Sequence, residues 1–493
     1  MKVFLTGATG FLGRALTLAL RRDGHTVLAW VRSPERARAL LGDQAELVSM
    51  ASGEVGLRVA LEGCDAVVNL AGEPVLSRWT AQRRAELRAS RVDLTAKLVA
   101  ALEGTQLRPR VLVSGSAVGF YGDRGDELLS ESSPAGTGFL PGLCAAWEAA
   151  ARRAEGLGVR VVLVRTGIVL GLDGGALVSM LPPFRLGAGG RIGSGRQRMP
   201  WIHVEDWVRV VCAALGDERW RGPVNVTAPE PPTNRDFTRA LAGVLAKPAL
   251  FPVPGFALRL VFGSAASILL ESQRAAPARL AELGFVHRFP ELSAALRDLL
   301  TDGRARIERI PSQDATRATH GSTYLTARPP THLLGTTTEL AVPLEQAFRF
   351  FSAPENLGLL TPRASGFQLR ASSGPPRVGA TLDHRLRIGP FALTWRTRFE
   401  TWQPNERFTD VQERGPFRAW WHEHRFEARG PRTHMHDRVL LAMPFGPLGA
   451  LALRLFVADR LGDLFAHRTL AMRLRFGAPQ GSEPARALPA RPR

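Results

Sequence analysis

Three glycines spaced three residues apart follow the first apolar segment of the chain. They are Gly7, Gly10 and Gly13 of GATGFLG, directly after the strand-like VFLT and at the start of an amphipathic segment. The first glycine permits a tight turn, the second lets the backbone approach a pyrophosphate, and the third permits close packing of helix against strand. The spacing therefore predicts a nucleotide-phosphate site at the amino end of the first helix.

The second strand-like segment, HTVLAWVR, ends in Val31 and Arg32. A chain that binds NAD carries a carboxylate about 20 residues after the glycines, where it binds the ribose 2′-hydroxyl. A guanidinium at this place suits the 2′-phosphate of NADP instead, and a charge-assisted pair of about 1.5–3 kcal/mol corresponds to roughly 10- to 100-fold preference. We predict NADP as the cofactor, with a solvated arginine beside a loop as the alternative.

Four histidines lie on two strand-like segments near the carboxyl-terminal end. They are His422 and His424 in FRAWWHEHRFEA, and His434 and His436 in THMHDRVLLAM. Residues i and i+2 share a face of a strand, so each pair is a plausible start of a metal site. If Glu427 faces Arg432 the two pairs lie on opposite faces, and a one-residue slip brings all four together. We favour a solvated strand face and predict no metal.

The elements that must position these residues alternate regularly over the first 170 residues. Apolar runs of strand length (VFLTG, HTVLAWVR, DAVVNLAG, RVLVSGSA, VRVVLVRTGIVLG) are separated by helical segments such as FLGRALTLALRRDG and PGLCAAWEAAARRAEGLG. This alternation predicts an α/β Rossmann fold, a doubly wound parallel sheet covered by helices on both faces.

The pattern changes twice after this region. Residues 171–303 are less regular and are predicted to form a smaller substrate-side lobe, whereas residues 304–330 are polar and aperiodic and are predicted to be a linker. Residues 331–476 then show helices, alternating strands and one long amphipathic segment, which predicts a separate α+β domain. The composition of residues 477–493 predicts a disordered tail.

Several motifs of the first 300 residues, beyond the glycines, resemble one known family. NLAGEPVLSRW, SRVDLT, SGSAVGFYGD, CAAWE, RQRMPWIHVEDW and SQRAAP together are similar to the atypical epimerase-like subfamily of the extended short-chain dehydrogenases/reductases. The resemblance implies a NADP-dependent oxidoreductase or epimerase acting on a small molecule. It also implies a set of cofactor contacts: Gly7, Thr9, Gly10, Phe11, Leu12, Gly13, Val31, Arg32, Leu70, Ala71, Glu86, Arg91 and Glu148.

The catalytic pattern of that superfamily is broken in this chain. Its usual members place Tyr and Lys four residues apart on one helix, whereas this chain has Cys144 and Glu148 at those positions. A carboxylate one turn from a thiol raises the thiol pKa, so we expect Cys144 to be a poor nucleophile. We hypothesise that Glu148 either binds the ribose or acts as a general base. We also hypothesise that the hydroxyl of Ser116 orients the substrate and that Tyr121 replaces the missing acid.

Residues 331–476 resemble the START/Bet v 1-like helix-grip domains. The resemblance is carried by AVPLEQAFRFFSAPENLGLLTP, RIGPFALTW, GPFRAWWHEHRFEA and the long final helix. It implies a curved antiparallel sheet that wraps the last helix and binds an apolar ligand. The aromatic residues proposed to line such a cavity, each explained equally well as ordinary core packing, are Trp395, Trp402, Trp420, Trp421, Phe417 and Phe426.

Composition excludes other classes of protein. The net charge of +19 over 493 residues comes almost entirely from arginine and is spread along the chain, so we read it as a compositional bias and predict no nucleic-acid partner. Three scattered cysteines indicate no disulfide framework and fit a reducing cytoplasm. The longest apolar stretch is interrupted by Pro444, Pro447 and Arg454, so we expect no membrane span.

Two functions remain open from these observations. The first is a NADP(H)-dependent oxidoreductase or epimerase of unknown substrate, fused to an apolar-ligand-binding domain. The alternative is a protein that senses NADPH and holds a ligand without turnover, which the absence of the Tyr/Lys pair favours. The expected location of either protein is cytoplasmic.

Overall fold

A computed structural model describes residues 1–311, 321–388 and 391–477 of the chain. Its residue contacts divide the described chain into two units, one formed by residues 1–37 and 44–297 and the other by residues 38–43 and 298–477. The predicted tail, residues 477–493, lies outside the described residues except for Gly477.

The first unit is built around a seven-stranded parallel sheet with the strand order β10-β7-β5-β4-β1-β2-β3. The strands up to residue 303 are β1 Lys2–Thr6, β2 Thr26–Val31, β3 Glu46–Ser49, β4 Ala66–Asn69, β5 Val111–Ala117, β6 Leu128–Leu129, β7 Arg160–Thr166, β8 Ile168–Leu170, β9 Trp201–His203, β10 Gly222–Val226 and β11 Arg274–Ala275. Starting from β1, the chain adds β2 and β3 on one side and β4, β5, β7 and β10 on the other side. The carboxyl ends of β1 and β4 therefore flank a crevice of the kind in which doubly wound sheets bind ligands.

Helices cover the sheet, as the alternating pattern predicted. They are α1 Phe11–Arg22, α2 Pro34–Leu41, α3 Gly53–Leu61, α4 Ala81–Arg88, α5 Leu94–Glu103, α6 Phe139–Arg152, α7 Gly175–Arg185, α8 Val204–Gly216, α9 Asn234–Leu245, α10 Gly255–Phe262, α11 Ser267–Leu270, α12 Ala278–Glu282 and α13 Leu292–Leu300. Between α4 and α5 a π-helical turn, Ala89–Asp93, continues the helix. The apolar strands pack against helix faces around Phe4, Leu61, Leu98 and Leu112, which are fully or almost fully buried.

One apolar run proved to be two strands. The segment VRVVLVRTGIVLG, read from its composition as one strand, divides at Gly167 into β7 and β8. A Cβ at Gly167 would lie 2.8 Å from the carbonyl oxygen of Pro200, so the backbone approaches too closely there for any other residue. β8 pairs with β9 in a separate two-stranded sheet.

The second unit is an eight-stranded, antiparallel sheet with the order β12-β13-β19-β18-β17-β16-β15-β14. Its strands are β12 Arg306–Arg309, β13 His332–Leu340, β14 Gln368–Ser372, β15 Thr381–Ile388, β16 Phe391–Gln403, β17 Arg407–Arg414, β18 Ala419–Arg429 and β19 Arg432–Ala442. Its helices are α14 Thr323–Ala327, α15 Leu344–Ser352, α16 Gly446–Ala452 and α17 Ala458–Phe476. The predicted α+β domain with a long final helix is therefore confirmed.

Two described parts of the segment predicted to be a linker, residues 304–330, are ordered in this second unit. β12 pairs antiparallel with β13 at the edge of the sheet. Tyr324 and Leu325 of α14 are buried in a cluster with Val411 and Trp421. The polar composition misled the linker prediction, because an edge strand exposes most of its side chains and α14 buries only two.

Candidate functional site

The glycine turn has the geometry that its spacing predicted. Gly7 has a φ of +71°, and the amide of Gly10 donates to the carbonyl of Gly7 at 2.9 Å, which closes the turn. A Cβ at Gly13 would lie 2.2 Å from that same carbonyl oxygen, so α1 packs against the turn at a distance that only glycine permits.

The amino end of α1 is suited to an anion. Its N-cap residue, Gly10, has no side chain to accept from the first amides, and the first turn carries no acidic residue. The N–H groups of that turn and the helix dipole therefore favour a phosphate. Thr9 lies in the turn, while Phe11 and Leu12 open the helix and are half-buried. The ring of Phe11 packs so closely on Gly171 that a Cβ there would lie 2.5 Å from it.

Arg32 lies immediately after the end of β2, where Val31 is buried. Its side chain is 82% exposed, and one guanidinium nitrogen lies 3.2 Å from a carboxylate oxygen of Glu73 in the loop after β4. Exposed ion pairs of this kind contribute only about 0–1 kcal/mol to stability. Arg32 is therefore free to exchange this carboxylate for another anion.

The loop after β4 begins on a buried hydroxyl at the end of β1. The amides of Leu70 and Ala71 both donate to Oγ1 of Thr6, at 3.1 Å each. Thr6 Oγ1 in turn donates to the side chain of Asn69 at 2.7 Å. A Cβ at Gly7 would lie 2.8 Å from the backbone of Leu70, so the glycine turn and this loop form one continuous backbone surface.

Arginines of α4 and of the π-helical turn fix the rest of this loop. Arg91 donates to the carbonyl oxygen of Glu73 at 2.8 Å, and Arg83 donates to the carbonyl oxygen of Pro74 at 2.6 Å. Glu86 holds Arg83 through a 2.8 Å hydrogen bond. Two of the predicted cofactor residues, Glu86 and Arg91, therefore position the loop in this structure.

The three residues considered for catalysis meet in one buried network. The hydroxyl of Ser116 donates to a carboxylate oxygen of Glu148 at 2.7 Å. The guanidinium of Arg165 donates to both carboxylate oxygens of Glu148, at 2.8 and 2.9 Å, and to the hydroxyl of Tyr121 at 3.0 Å. Its carbon also lies 3.6 Å from the centre of the Phe120 ring. The network joins β5, the 3₁₀ turn Val118–Tyr121 that follows it, α6 and β7.

Tyr121 is fully buried and its hydroxyl is also bonded to Asn225, at 2.7 Å from the side-chain oxygen. Burial raises the pKa of this phenol, although Arg165 and Asn225 partly oppose the shift. An acid in this environment holds its proton and is surrounded by protein groups. The structure thus gives Tyr121 the contacts of a core residue.

Cys144 is buried beside the same network. Burial, with a smaller contribution from the carboxylate of Glu148, raises the pKa of its thiol to about 12. The sequence predicted this direction from Glu148 alone, whereas burial is the larger cause. A thiol with such a pKa is protonated at neutral pH and is not a nucleophile.

Arg165 was not among the predicted site residues, although the sequence contained a signal for it. It is a charged residue within the otherwise apolar run VRVVLVRTG. A charge on a strand that is buried on both faces needs a partner of opposite charge, and a buried carboxylate is the usual one. This requirement pointed to Glu148, but only the packing of α6 against the sheet brings the two residues together.

The histidine pairs lie on opposite faces of the sheet of the second unit. Glu427 pairs with His434, and Arg429 pairs with Arg432 across a two-residue turn, so the register differs by two residues from the one that we considered. A shift of two preserves the faces. His422 and His424 are nevertheless buried, so the predicted solvated strand face is wrong for this pair.

The candidate cavity-lining aromatic residues divide between three clusters. Trp395, Trp420 and Phe417 pack with Leu461 and Phe465 of α17. The rings of Trp402 and Phe426 both contact Phe348 of α15. Trp421 packs with Tyr324 in a different cluster, because successive residues of a strand point to opposite faces. Trp421 therefore cannot share a cavity with Trp420.

Three segments of the chain match known protein families. Residues 3–226 match the NAD dependent epimerase/dehydratase family, residues 253–299 match a domain of unknown function (DUF1731), and residues 340–468 match the family described as polyketide cyclase / dehydrase and lipid transport. Both resemblances drawn from the sequence are therefore confirmed. None of the helices in the described parts of the chain is long and apolar enough to cross a membrane.

Individual relatives match the first 300 residues along nearly their whole length. Epimerase family protein SDR39U1 of Mus musculus is 41% identical over 305 residues, which are 61% of this chain and 100% of the relative. Epimerase family protein MT2273 of Mycobacterium tuberculosis is 42% identical over 296 residues, which are 60% of this chain and 96% of the relative. A crystal structure of human epimerase family protein SDR39U1 (isoform 2) with NADPH has 38% identity and a TM-score of 0.55, covering 60% of this chain and 98% of that chain.

Proposed function

The chain belongs to the epimerase family, and from this we propose that its first 300 residues bind NADP(H) at the carboxyl edge of the parallel sheet and use it to oxidise or reduce a small molecule. The observation that carries the choice of cofactor is Arg32, an exposed guanidinium one residue beyond β2. The related human protein crystallised with NADPH supports the same choice. When bound, the nicotinamide ring supplies hydride chemistry.

Different residues of this chain would bind different parts of the cofactor. The glycine turn and the amino end of α1 would receive the pyrophosphate, because they offer free N–H groups and close backbone approach. Arg32 would receive the 2′-phosphate after leaving Glu73. The loop that begins at Leu70 and Ala71 would lie beside the cofactor, held in place by its bonds to Thr6 and Arg91.

A second candidate function is NADPH binding without turnover. It is supported by the bonds of Glu148, whose two carboxylate oxygens are taken up by Arg165 and Ser116. A carboxylate whose two oxygens are both held by a buried guanidinium has its charge balanced inside the protein and is not presented to a substrate. The chain would then serve as a sensor whose second domain holds an apolar ligand.

We propose that the second domain binds an apolar molecule, in keeping with its match to the polyketide cyclase and lipid transport family. The aromatic residues between the sheet and α17, among them Trp395 and Trp420, would contact it. The substrate of the first domain and the ligand of the second can be identified together, by mass spectrometry of the small molecules that co-purify with the full-length protein. The cytoplasmic location stays a prediction.

The choice of cofactor is tested by calorimetry with NADPH and NADH. We expect NADPH to bind the wild-type protein at least about tenfold more tightly than NADH, from the charge-assisted pair with Arg32. Arg32→Ala should remove this preference and leave NADH binding unchanged. Arg239→Ala is the matched control, because Arg239 is also exposed and lies near a carboxylate, Asp236. Equal affinities of the wild-type protein for the two cofactors would refute the proposal.

Turnover is separated from sensing by transfer of isotope. Full-length protein is incubated with NADPH deuterated at C4 of the nicotinamide and with a small-molecule fraction of cells, and the products are searched for deuterium. A product that carries deuterium after incubation with the wild-type protein, and carries less deuterium after incubation with Arg32→Ala, indicates an enzyme. Tight NADPH binding without any transferred deuterium, together with no formation of NADPH from NADP⁺ in the same small-molecule fraction, indicates the sensor.

A further inference from the structure

The inner face of the second domain's sheet carries four polar residues on three adjacent strands. Asp410 of β17 pairs directly with His422 of β18, and His424 of β18 pairs directly with Asp437 of β19. Because directly paired residues of antiparallel strands point to the same face, all four side chains converge. The two histidines and Asp437 are less than a tenth exposed.

Asp437 lies against one nitrogen of each imidazole ring and forms a hydrogen bond with that of His422. Its Oδ1 lies 3.0 Å from Nε2 of His422 and 2.7 Å from Nδ1 of His424. Arg468 pairs with the same carboxylate oxygen of Asp437, at 3.3 Å. A carboxylate that is paired with a guanidinium accepts hydrogen bonds, so Nε2 of His422 donates to it.

The opposite nitrogen of each ring faces Asp410. Nδ1 of His422 lies 3.8 Å and Nε2 of His424 lies 4.0 Å from Oδ2 of Asp410. These separations are too long for hydrogen bonds. One ligand atom from each of the three residues lies within 4.8 Å of the other two. An ion about 2.0–2.2 Å from each ligand atom, the usual distance for zinc with nitrogen and oxygen ligands, joins atoms up to about 4.0–4.4 Å apart. The separations of 3.8 and 4.0 Å from Asp410 lie within this limit.

From this geometry we propose that Asp410, His422 and His424 form a binding site for one divalent transition-metal ion. The arrangement has the outer support that such sites use, since each ligand imidazole presents its other nitrogen to a carboxylate, here Asp437. Two imidazoles and one carboxylate suit zinc or iron(II) and leave at least one coordination position open. That position would accept an oxygen atom of water or of a bound molecule.

The surroundings of the site strengthen the case for a tightly held ion. The ring of Phe408 lies 4.4 Å from that of His424, and the ring of Phe465 on α17 lies 6.1 Å from that of His422. Interactions between charges are strong in such an apolar environment.

The site is tested on the full-length protein after a chelator has been added and removed by dialysis. We titrate the protein with Co²⁺, whose visible absorption reports a site with nitrogen and oxygen ligands, and then with Zn²⁺ by calorimetry. We expect one ion per chain and displacement of Co²⁺ by Zn²⁺. Asp410→Asn and His422→Gln/His424→Gln should abolish saturable binding, and Asp437→Asn should weaken binding by roughly 10- to 100-fold.

The chain provides a matched control on the other face of the same sheet. His434 and His436 have the same i, i+2 spacing on β19 and are partly exposed. His434→Gln/His436→Gln should leave the stoichiometry and the affinity unchanged. Circular dichroism and thermal melting check that each variant is folded; Asp410→Asn, which changes only one atom, remains informative if the double variant is not. Absence of a stoichiometric site in the wild-type protein, or equal binding by Asp410→Asn, would overturn the proposal.

Discussion

Glu148 accepts two hydrogen bonds from the guanidinium of Arg165. Both side chains are buried, at 5% exposure for Glu148 and 4% for Arg165. Glu148 is the residue that the sequence resemblance set at the lysine position of the superfamily's Tyr/Lys pair. Its charge is therefore balanced inside the protein rather than presented to a substrate. The effect of a substitution at Glu148 should therefore be interpreted first through its ion pair with Arg165.

Replacement of Glu148 should act first on stability. Glu148→Gln leaves the buried guanidinium of Arg165 without a counter-ion, which costs about 3–5 kcal/mol of unfolding free energy. The double variant Glu148→Gln/Arg165→Gln should recover part of this loss, because neither charge then remains. Urea denaturation of the three proteins measures the difference. If Glu148→Gln were as stable as the wild-type protein and lost only turnover, Glu148 would be a catalytic base.

Gly13→Ala should weaken NADPH binding and lower stability together. The added Cβ would meet the carbonyl oxygen of Gly7, so the helix and turn must separate, at a cost of about 1–3 kcal/mol. Gly243→Ala on α9 is the matched control. Among the described residues, no atom outside the helix's own backbone lies within 4 Å of a Cβ at that position, so the change should stabilise the chain by roughly 0.5–1 kcal/mol. Calorimetry with NADPH and thermal melting measure both effects.

The three cysteines should resist alkylation in the folded protein. Burial is the largest cause that raises the pKa of Cys64 to about 11 and those of Cys144 and Cys212 to about 12. Iodoacetamide at pH 7.5 should therefore label none of them in the native state and all three after unfolding in urea. Selective native labelling of Cys144, read by peptide mass spectrometry, would instead indicate a reactive thiol.

The stability of the second domain should fall as the pH falls from about 6.5 to 4. Burial lowers the pKa of His384 to about 4, whereas in the unfolded chain it is about 6.5. Between these values the unfolded state binds the proton and the folded state does not, so acid favours unfolding. From pH 7 to 5 this histidine should cost about 2 kcal/mol. His384→Phe keeps a ring against Trp395 and should show less loss over this range; an unchanged loss would contradict the assignment.

The boundary of the second domain should lie before β12. The sequence predicted that residues 331–476 fold alone, but β12 and α14 both contribute to this unit. We expect a protein of residues 298–477 to melt cooperatively at a higher temperature than one of residues 331–477. It also retains the ion pair of Asp298 with Arg473, at 2.6 Å. Equal melting temperatures would return the boundary to residue 331.

The sequence by itself determined the fold class and the nucleotide turn. Gly7, Gly10 and Gly13 are close in the chain, and their roles depend on backbone conformation that only glycine permits, so local spacing is enough to identify them. Arg32 was found in the same way, because the end of a strand is visible in the apolar pattern.

Only the tertiary structure decided which charged residues meet. Arg165 and Glu148 lie on a strand and a helix whose packing no local pattern encodes. Asp410 and Asp437 were missed beside His422 and His424 because they come from neighbouring strands, and a shift of one residue in register would have sent them to the other face. Buried polar groups take their partners from elements distant in sequence. Only the three-dimensional packing therefore shows that Glu148 meets Arg165 and that Asp410 and Asp437 meet the two histidines.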